Sequence, residues 1–470
     1  MQTSNPPLSP EVKKSLKIVF LTLFLDMVGF SIIFPLFPAL VKYYGSLEAD
    51  NLFFKGILEA VEIFRHVGDG TNMPAGTEIV LFGGALASLY SLLQFVCSPF
   101  WGTISDRIGR KPVLIFSITG SVLSYLIWIF SGSFTLLIVS RIVSGIMSGN
   151  ISTATAVIGD ITSKNDRAKG MAIVGIAFGI GFILGPALGG LFSRFDLTLD
   201  HPSWSTYGVN PFSVPAFVAF TLSLFNLISV IRNFKESLPP EKRGISGSYR
   251  SANLLTLFKP LPYRGINLAN FANFLYTLAF AGMEFTLTFL AVERFAYSSI
   301  ENAYMFVFIG LIIALVQGGI VRRHAHQFGE KKMTIAGLII LIPGLILISI
   351  AFNAITLYFG LALLSIGSAM VIACLSALVS LYTPEDLQGK SIGIFRSLGA
   401  LGRVLGPMLS CLLYWRFGAS SPYYVSALFM VIPIALVLML QSPGEYHQEI
   451  TTNTCPSSTK SPILTPHDLT

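Results

Sequence analysis

At 470 residues, 53% hydrophobic and only 12% charged, the chain carries about half the charge of an average soluble domain, which runs to about 25%. So few charges cannot clothe a water-soluble fold of this size, which excludes a soluble enzyme or soluble binding module. The formal net charge of +7 sits at the ends of apolar blocks rather than on one face, so no nucleic-acid partner is expected.

The apolar residues arrive in blocks near the roughly 20 residues that cross about 30 Å of hydrocarbon as a helix. In chain order the predicted spans are 17–44, 79–104, 112–131, 134–158, 170–193 and 214–235, then 267–292, 302–321, 333–353, 356–381, 391–415 and 422–441. The first, Lys17 to Tyr44, is too long for a signal-peptide core and no small-residue cleavage site follows it, so it reads as a retained helix. Cys97, Cys374 and Cys411 fall inside apolar blocks and Cys455 in the polar tail, which is no disulfide framework.

The pattern predicts an all-α polytopic membrane protein of about twelve transmembrane helices. Of the 31 Lys and Arg residues, 22 fall on the amino-terminal side, six on the other and three inside spans. Cytoplasmic loops retain positive charge, so both termini are predicted to be cytoplasmic.

The domain reading follows: a cytoplasmic tail over 1–16, a six-helix half over 17–232, a linker over 233–266, a second six-helix half over 267–441 and a disordered cytoplasmic tail over 442–470. Within the first half, the long outer loop 45–78 carries Phe53, Phe54, Ile57, Leu58, Val61 and Phe64 at near-helical spacing, which predicts a short amphipathic surface helix. The linker holds Pro239-Pro240-Glu241-Lys242-Arg243 and is polar and rich in helix breakers.

An internal repeat supports two pseudo-symmetric halves. Gly181-Phe182-Ile183-Leu184-Gly185-Pro186-Ala187-Leu188 in the fifth span matches Gly402-Arg403-Val404-Leu405-Gly406-Pro407-Met408-Leu409 in the eleventh, at an offset of 221 residues. Glycines at four-residue spacing allow close helix contact, and Pro186 and Pro407 bend their helices. A weaker echo links Gly102-Thr103-Ile104-Ser105-Asp106 and Lys111 to Gly319-Ile320-Val321-Arg322-Arg323 and Lys332, with extra residues in the second copy. Arg323 stands where the acid would be, so a symmetric device in the second half is not expected.

The stretch Gly102 to Lys111 after the second span resembles the loop signature G-x-x-x-D-R-x-G-R-K of the major facilitator superfamily. Gly102 would let helices approach, Gly109 would permit a positive-φ turn, and Arg107, Arg110 and Lys111 would hold the loop at the cytoplasmic face. The resemblance implies a conformational latch that stabilises the outward-open state through Asp106, with Asp160 as the expected partner of the loop's arginines. Gly181 to Gly190 resembles the fifth-helix motif of members that exchange solutes, although simple tight packing explains it equally well. Leu81-Phe82-Gly83-Gly84, Gln94-Phe95, Gly282-Met283-Glu284, Gln317-Gly318 and Arg396-Ser397-Leu398-Gly399-Ala400 resemble the tetracycline-transporter-like branch. That branch implies export or exchange of amphipathic organic ions, with organic anions the suggested substrates.

Five ionisable residues fall well within spans: Asp26, Arg141, Glu284, Arg396 and Arg403. Each costs roughly 2.5 to 3.5 kcal/mol at a helix centre on insertion scales, so they are expected to face partners or a water-filled cavity. Arg141 heads a narrow polar stripe of Gly145, Ser148, Ser152, Thr155 and Gly159, predicted to line a water path. Arg396 and Arg403, two turns apart, leave one face of the eleventh helix. Three arginines against two acids leave a balance of +1, and guanidinium suits bidentate grip on carboxylate, phosphate or sulfonate. Asp26 and Glu284 are candidate proton carriers, because burial and a neighbouring guanidinium act oppositely on a carboxyl group. Gln94 and Gln317 are candidate neutral contacts, with packing an equal alternative.

The function expected is secondary active transport of small amphipathic organic ions, organic anions first, by alternating access between the halves. A proton-driven multidrug or organic-cation exporter is the alternative on the same fold, and a non-transporting receptor or scaffold the alternative of another class. No H-E-x-x-H helix, nucleophile elbow or P-loop occurs, so no enzyme, cofactor or metal is expected. The expected partners are the lipid bilayer, a small organic ion and coupling protons, around a monomer.

Overall fold

A computed structural model describes residues 10–47, 78–162, 167–243, 261, 264–383 and 388–441. The surface helix expected over Phe53 to Phe64, most of the linker beyond Arg243, residues 1–9 and the tail 442–470 lie outside these residues, while residues 10–16, expected as tail, are already part of the helix Pro10–Ser31. Twelve helical spans are long and apolar enough to cross a membrane. They are α1 (Val12–Leu47), α2 (Val80–Ile108), α3 (Arg110–Ile129), α4 (Phe134–Ile161), α5 (Ile176–Asp200), α6 (Ser213–Asn233), α7 (Gly265–Phe295), α8 (Ser299–Ala325), α9 (Glu330–Ser349), α10 (Ala354–Tyr382), α11 (Ser391–Phe417) and α12 (Ser421–Leu438). Each matches one predicted span, and no strand occurs among the described residues.

Local chemistry sets the helix ends. Ser133 caps α4 by accepting from the Leu136 amide at 3.2 Å, and Asn353 caps α10 by accepting from the Thr356 amide at 2.8 Å. Ser298 and Glu301 form a reciprocal capping box before α8. Pro35 sits where α1 tightens into a 3-10 turn at Phe34–Leu36, as expected of a residue without an amide donor. In α4, Ser148 and Gly149 interrupt the helix between Phe134–Met147 and Asn150–Ile161. In α8, Val316–Val321 widens into a π-helical turn.

The spans assemble as two six-helix halves. In the first, α1 packs on α5 and α6, α3 on α4 and α6, and α2 on α4; in the second, α7 packs on α11, α9 on α10, and α12 on α7 and α9. The glycine repeat performs the same task twice. A Cβ on Gly181 would stand 2.5 Å from Met27 Cβ, and one on Gly185 would stand 2.7 Å from Val28 O, so α5 lies backbone to backbone on α1. Likewise a Cβ on Gly402 would stand 3.0 Å from Leu278 N, and one on Gly406 3.0 Å from Gly282 N, which seats α11 on α7. Large apolar side chains such as Phe116, Phe217, Leu311 and Phe359 are exposed, which suits a hydrocarbon solvent.

The halves meet through α2 against α11 and α5 against α8. The loop Gly102 to Lys111 marks one end of the bundle, called here the loop end. Contacts that join the halves gather toward the opposite, far end. A Cβ on Gly84 would stand 2.7 Å from Cys411 Sγ, one on Gly83 2.8 Å from Phe289, and one on Gly190 2.9 Å from Ser299 O. Phe37 and Phe285 meet there edge to face, with ring centroids 4.9 Å apart. Toward the loop end, Gly179 on α5, Gly318 on α8 and Gly393 on α11 have open space around them.

The seams make unequal demands on their glycines. Gly185→Val is expected to lower the stability of the detergent-solubilised protein by roughly 1–3 kcal/mol through overpacking, whereas Gly179→Ala should stay within about 0.5 kcal/mol. Thermal unfolding of the two variants beside the parent chain checks the difference.

Candidate substrate and coupling site

Between the halves lies a void walled by α1, α2, α4 and α5 on one side and α7, α8 and α11 on the other. Arg141 enters it from the first half, and Glu284 and Arg403 from the second. Half of the remaining wall residues are aromatic: Phe30, Phe34 and Phe37 of α1, Tyr90 of α2, Phe182 of α5, and Phe285 and Phe306 of the second half. Two guanidinium groups against one carboxyl give the void a local balance of +1. Its volume is about 60 Å³, room for a few waters and not for an organic ion. Occupation by a solute therefore requires the halves to part further.

Arg141 is 4% exposed. Its guanidinium lies over the Trp128 ring, 4.6 Å from the centroid, and donates to Ser140 Oγ at 3.1 Å, while its Nε has no partner among the described residues. Arg403 lies within electrostatic reach of Glu284 and Tyr90, without an ion pair at contact distance. These side chains stay charged in a low-dielectric wall without neutralising partners, which leaves them available to a solute.

The expectation that all five intramembrane charges share one chamber is corrected. Asp26 lies inside the first half, where its Oδ1 accepts from Asn150 Nδ2 at 2.6 Å and its buried Oδ2 has no partner among the described residues. It lies one turn before Phe30 and two before Ile33, both on the void's wall, and within electrostatic reach of Tyr90, but it is not itself on that wall. Arg396, half-buried on α11, lies two turns from Arg403 toward the loop end, within its electrostatic reach but off the void's wall. Gln94 and Gln317 are half-buried and also off that wall.

The polar stripe of α4 is corrected too. It packs on α2 instead of lining a water path: a Cβ on Gly145 would stand 2.9 Å from Leu93 Cβ, Ser148 is 3% exposed, and Ser152 Oγ donates to Ser98 O at 3.2 Å. Of the stripe only Arg141 lines the void; Gly145, one turn on and ahead of the break at Ser148 and Gly149, already faces α2. Pro186 and Pro407 both lie within helices, and Pro407 also forms part of the void's wall.

At the loop end, the expected partnership forms around one arginine. Arg110 pairs with Asp106 at 2.6 Å and with Asp160 at 2.9 Å, and donates to Ser105 Oγ at 2.6 Å. Gly109 has φ of 108°, the turn its lack of a side chain allows. Sequence reasoning missed Glu236, whose carboxylate caps α3 by accepting from the Arg110 and Lys111 amides at 2.9 and 3.1 Å. Lys111 Nζ donates to Ile231 O at 3.0 Å. Two details differ from expectation. Gly102 is not in tight contact, since a Cβ there would meet only Ser152 Oγ, at 4.0 Å, and Arg107 is exposed with no ion pair among the described residues. All of these bonds stay within the first half and the start of the linker.

The second copy keeps the architecture without the acid. Gly329 repeats the positive-φ turn, at 84°, and Lys331 Nζ donates to Leu438 O at 3.0 Å at the end of α12, as Lys111 does at the end of α6. The unequal partners of the loop's cations predict unequal losses. Arg110→Ala should cost about 3 kcal/mol or more, because it strands Asp160 and Asp106, and Arg107→Ala within about 0.5 kcal/mol, read as unfolding temperatures in detergent.

Comparison with known proteins places this architecture. A model of the Major Facilitator Superfamily matches residues 19–328 and 323–459. The mouse Major facilitator superfamily domain-containing protein 10 is 34% identical, over 95% of this chain and 98% of its own. The class B tetracycline resistance protein of Escherichia coli is 27% identical, over 86% and 89%. The solved structure of the human organic anion transporter MFSD10 (TETRAN) shares 32% identity and a TM-score of 0.72, covering 91% of this chain and 100% of its own. A D-xylose-proton symporter, at 15% identity and a TM-score of 0.69, shares the fold alone. With twelve apolar spans, two packed halves and a match along nearly its whole length, this multi-pass integral membrane chain is a transporter, not an enzyme, and belongs to the Major Facilitator Superfamily.

Proposed function

We propose that the chain is a secondary transporter of amphipathic organic anions, working by alternating access between its two halves. The observation that carries this reading is the void itself, where Arg141 and Arg403 face each other from opposite halves against the single acid Glu284, within an aromatic wall. A planar anion with an apolar body fits both features, its charge between the guanidinium groups and its rings against phenylalanine. The positive balance disfavours a cation of the same size. The similarity to a protein described as the human organic anion transporter MFSD10 supports the same class.

In the orientation taken from the Lys and Arg asymmetry, the termini and the loop end are cytoplasmic, and this conformation is closed outside. Arg396 extends the positive face of α11 toward the loop end and acts as an approach site for the anion. Glu284, and Asp26 inside the first half, are the coupling groups: each can exchange a proton when the cavity changes sides. The bonds of Asp106, Arg110, Asp160 and Glu236 hold α2, α4 and the linker in register while the halves move.

Counterflow into proteoliposomes tests the substrate class. Radiolabelled naphthalene sulfonate, whose charge is independent of pH, should exchange, and a naphthyl trimethylammonium of the same size should not. Preference for the cation would overturn the proposal. Arg141→Gln and Arg403→Gln should each weaken apparent affinity for the sulfonate by about thirtyfold or more, the equivalent of roughly 2 kcal/mol for a buried charge left unmatched. With a pH gradient imposed, Glu284→Gln or Asp26→Asn should remove the response of uptake to pH; a response retained in both variants removes the coupling role.

A further inference from the structure

Away from the void, the second half holds polar groups that protein contacts leave unsatisfied. Asn270 on α7 is 2% exposed, and neither end of its carboxamide has a partner among the described residues. The Ser391 hydroxyl on α11 is fully buried and equally unpartnered. Tyr276 of α7, also 2% exposed, faces Ser368 of α10, yet the two hydroxyls do not close a bond of normal geometry. A buried neutral amide or hydroxyl left unpaired costs roughly 1–3 kcal/mol. Asn302 of α8 is a fifth such side chain in this half, but the other four stand on α7, α10 and α11 and together can hold something that both donates and accepts hydrogen bonds.

Packing register lines these groups up. α7 and α11 run in parallel, for Asn273 Nδ2 donates to Phe395 O at 3.2 Å, and Gly402 and Gly406 lie on Leu278. That register sets Ser391, a turn before Phe395, level with Asn270, a turn before Asn273. α10 runs the opposite way, with Tyr382 against Gly265 and Ser368 against Tyr276. The groups thus stand at successive depths along α7, Asn270 and Ser391 on its α11 side and Tyr276 and Ser368 on its α10 side, beginning near the loop end, where Asn267 bonds to the Leu261 amide at 2.9 Å and carbonyl at 2.7 Å. At its inner end Tyr276 lies within electrostatic reach of Glu284, eight residues on and about 12 Å along the helix axis.

The chemistry selects the occupant. The four side chains themselves are neutral, and no group of three metal-ligating side chains occurs among the described residues. Water matches neutral amides and hydroxyls, since it donates and accepts at once and needs two to four polar partners. We propose that Asn270, Ser391, Tyr276 and Ser368 bind a file of water molecules that carries protons between the loop end and Glu284, by a route separate from the void that takes substrate. The inference rests on the reading of Glu284 as a coupling group.

Each water, and the Tyr276 hydroxyl, accepts one proton as it releases another, so the net transfer is one proton to or from the Glu284 carboxyl. Asn270 orients water without titrating. Around Glu284, α11 presents Arg403, and α4 and α2 present Arg141 and Tyr90 across the void. α1 and α8 present Phe34 and Phe306, α10 presents Ser368, and Tyr423 of α12 lies by Thr286.

The test uses the full chain in proteoliposomes with radiolabelled naphthalene sulfonate, comparing uptake driven by a pH gradient with counterflow at equal pH. Tyr276→Phe, Asn270→Leu and Ser391→Ala should each slow gradient-driven uptake, the first by about tenfold or more, and leave counterflow unchanged. If the parent chain ignores the gradient, both the coupling role of Glu284 and this path are lost. If the parent responds and all three variants respond as it does, the path alone is overturned. Loss of counterflow together with gradient-driven uptake in all three would make the groups structural and would equally overturn the path.

Discussion

A guanidinium in a low-dielectric wall without a carboxylate at contact distance is the condition on which the rest of this molecule turns. Arg141 is held by the Trp128 ring and Ser140, and Arg403 shares the void with Glu284 without pairing to it. Neither arrangement neutralises the charge. Such a wall persists only because the surrounding helices leave it no easier packing, and glycine seams on both flanks provide that rigidity. α5 lies on α1 and α11 on α7 closely enough that any side chain at Gly185 or Gly406 would collide with backbone. The halves are therefore stiff bodies, and the interface between them, where the charges sit, is the place where shape can change.

The same physics separates the two kinds of polar group inside the bundle. Charges that face the void are left unpaired, whereas the buried Arg110 at the loop end is shared by two acids and a serine, and Glu236 by two amides at the start of α3. An unpaired charge suits exchange with a mobile solute, and a saturated one suits fixed geometry. The second half repeats the geometry of the loop, with Gly329 and Lys331, but has no acid at Arg323. The two halves share one scaffold and are not one device used twice.

Much of this was legible in the sequence, for identifiable reasons. Span length and apolar content depend on local composition, so all twelve helices were readable, and the seams at Gly181 and Gly402 followed from their four-residue spacing. Asp160 was expected beside the loop's arginines from the resemblance of Gly102 to Lys111 to the family's loop signature, and Arg110 is the one it meets. What resisted was the partner that each inward side chain meets. Asp26 looked equivalent to Glu284 as an acid inside a span, yet it turns into its own half toward Asn150, a partner 124 residues away. The α4 stripe meets α2, at Leu93 and Ser98, where a water path was expected. Glu236 and the aromatic wall carry no local signal at all, since their role comes only from what other helices bring beside them.

The placement of Glu236 also fixes where the tether between the halves begins. Its carboxylate holds the start of α3, and Arg243 lies 3.9 Å from it, so the chain as far as Arg243 travels with the first six helices. On the other side of the linker, Leu261 is fastened through both its amide and its carbonyl to Asn267 of α7. Each body therefore carries its own end of the connection as a fixed fitting, and a stroke displaces the two fittings without loosening either.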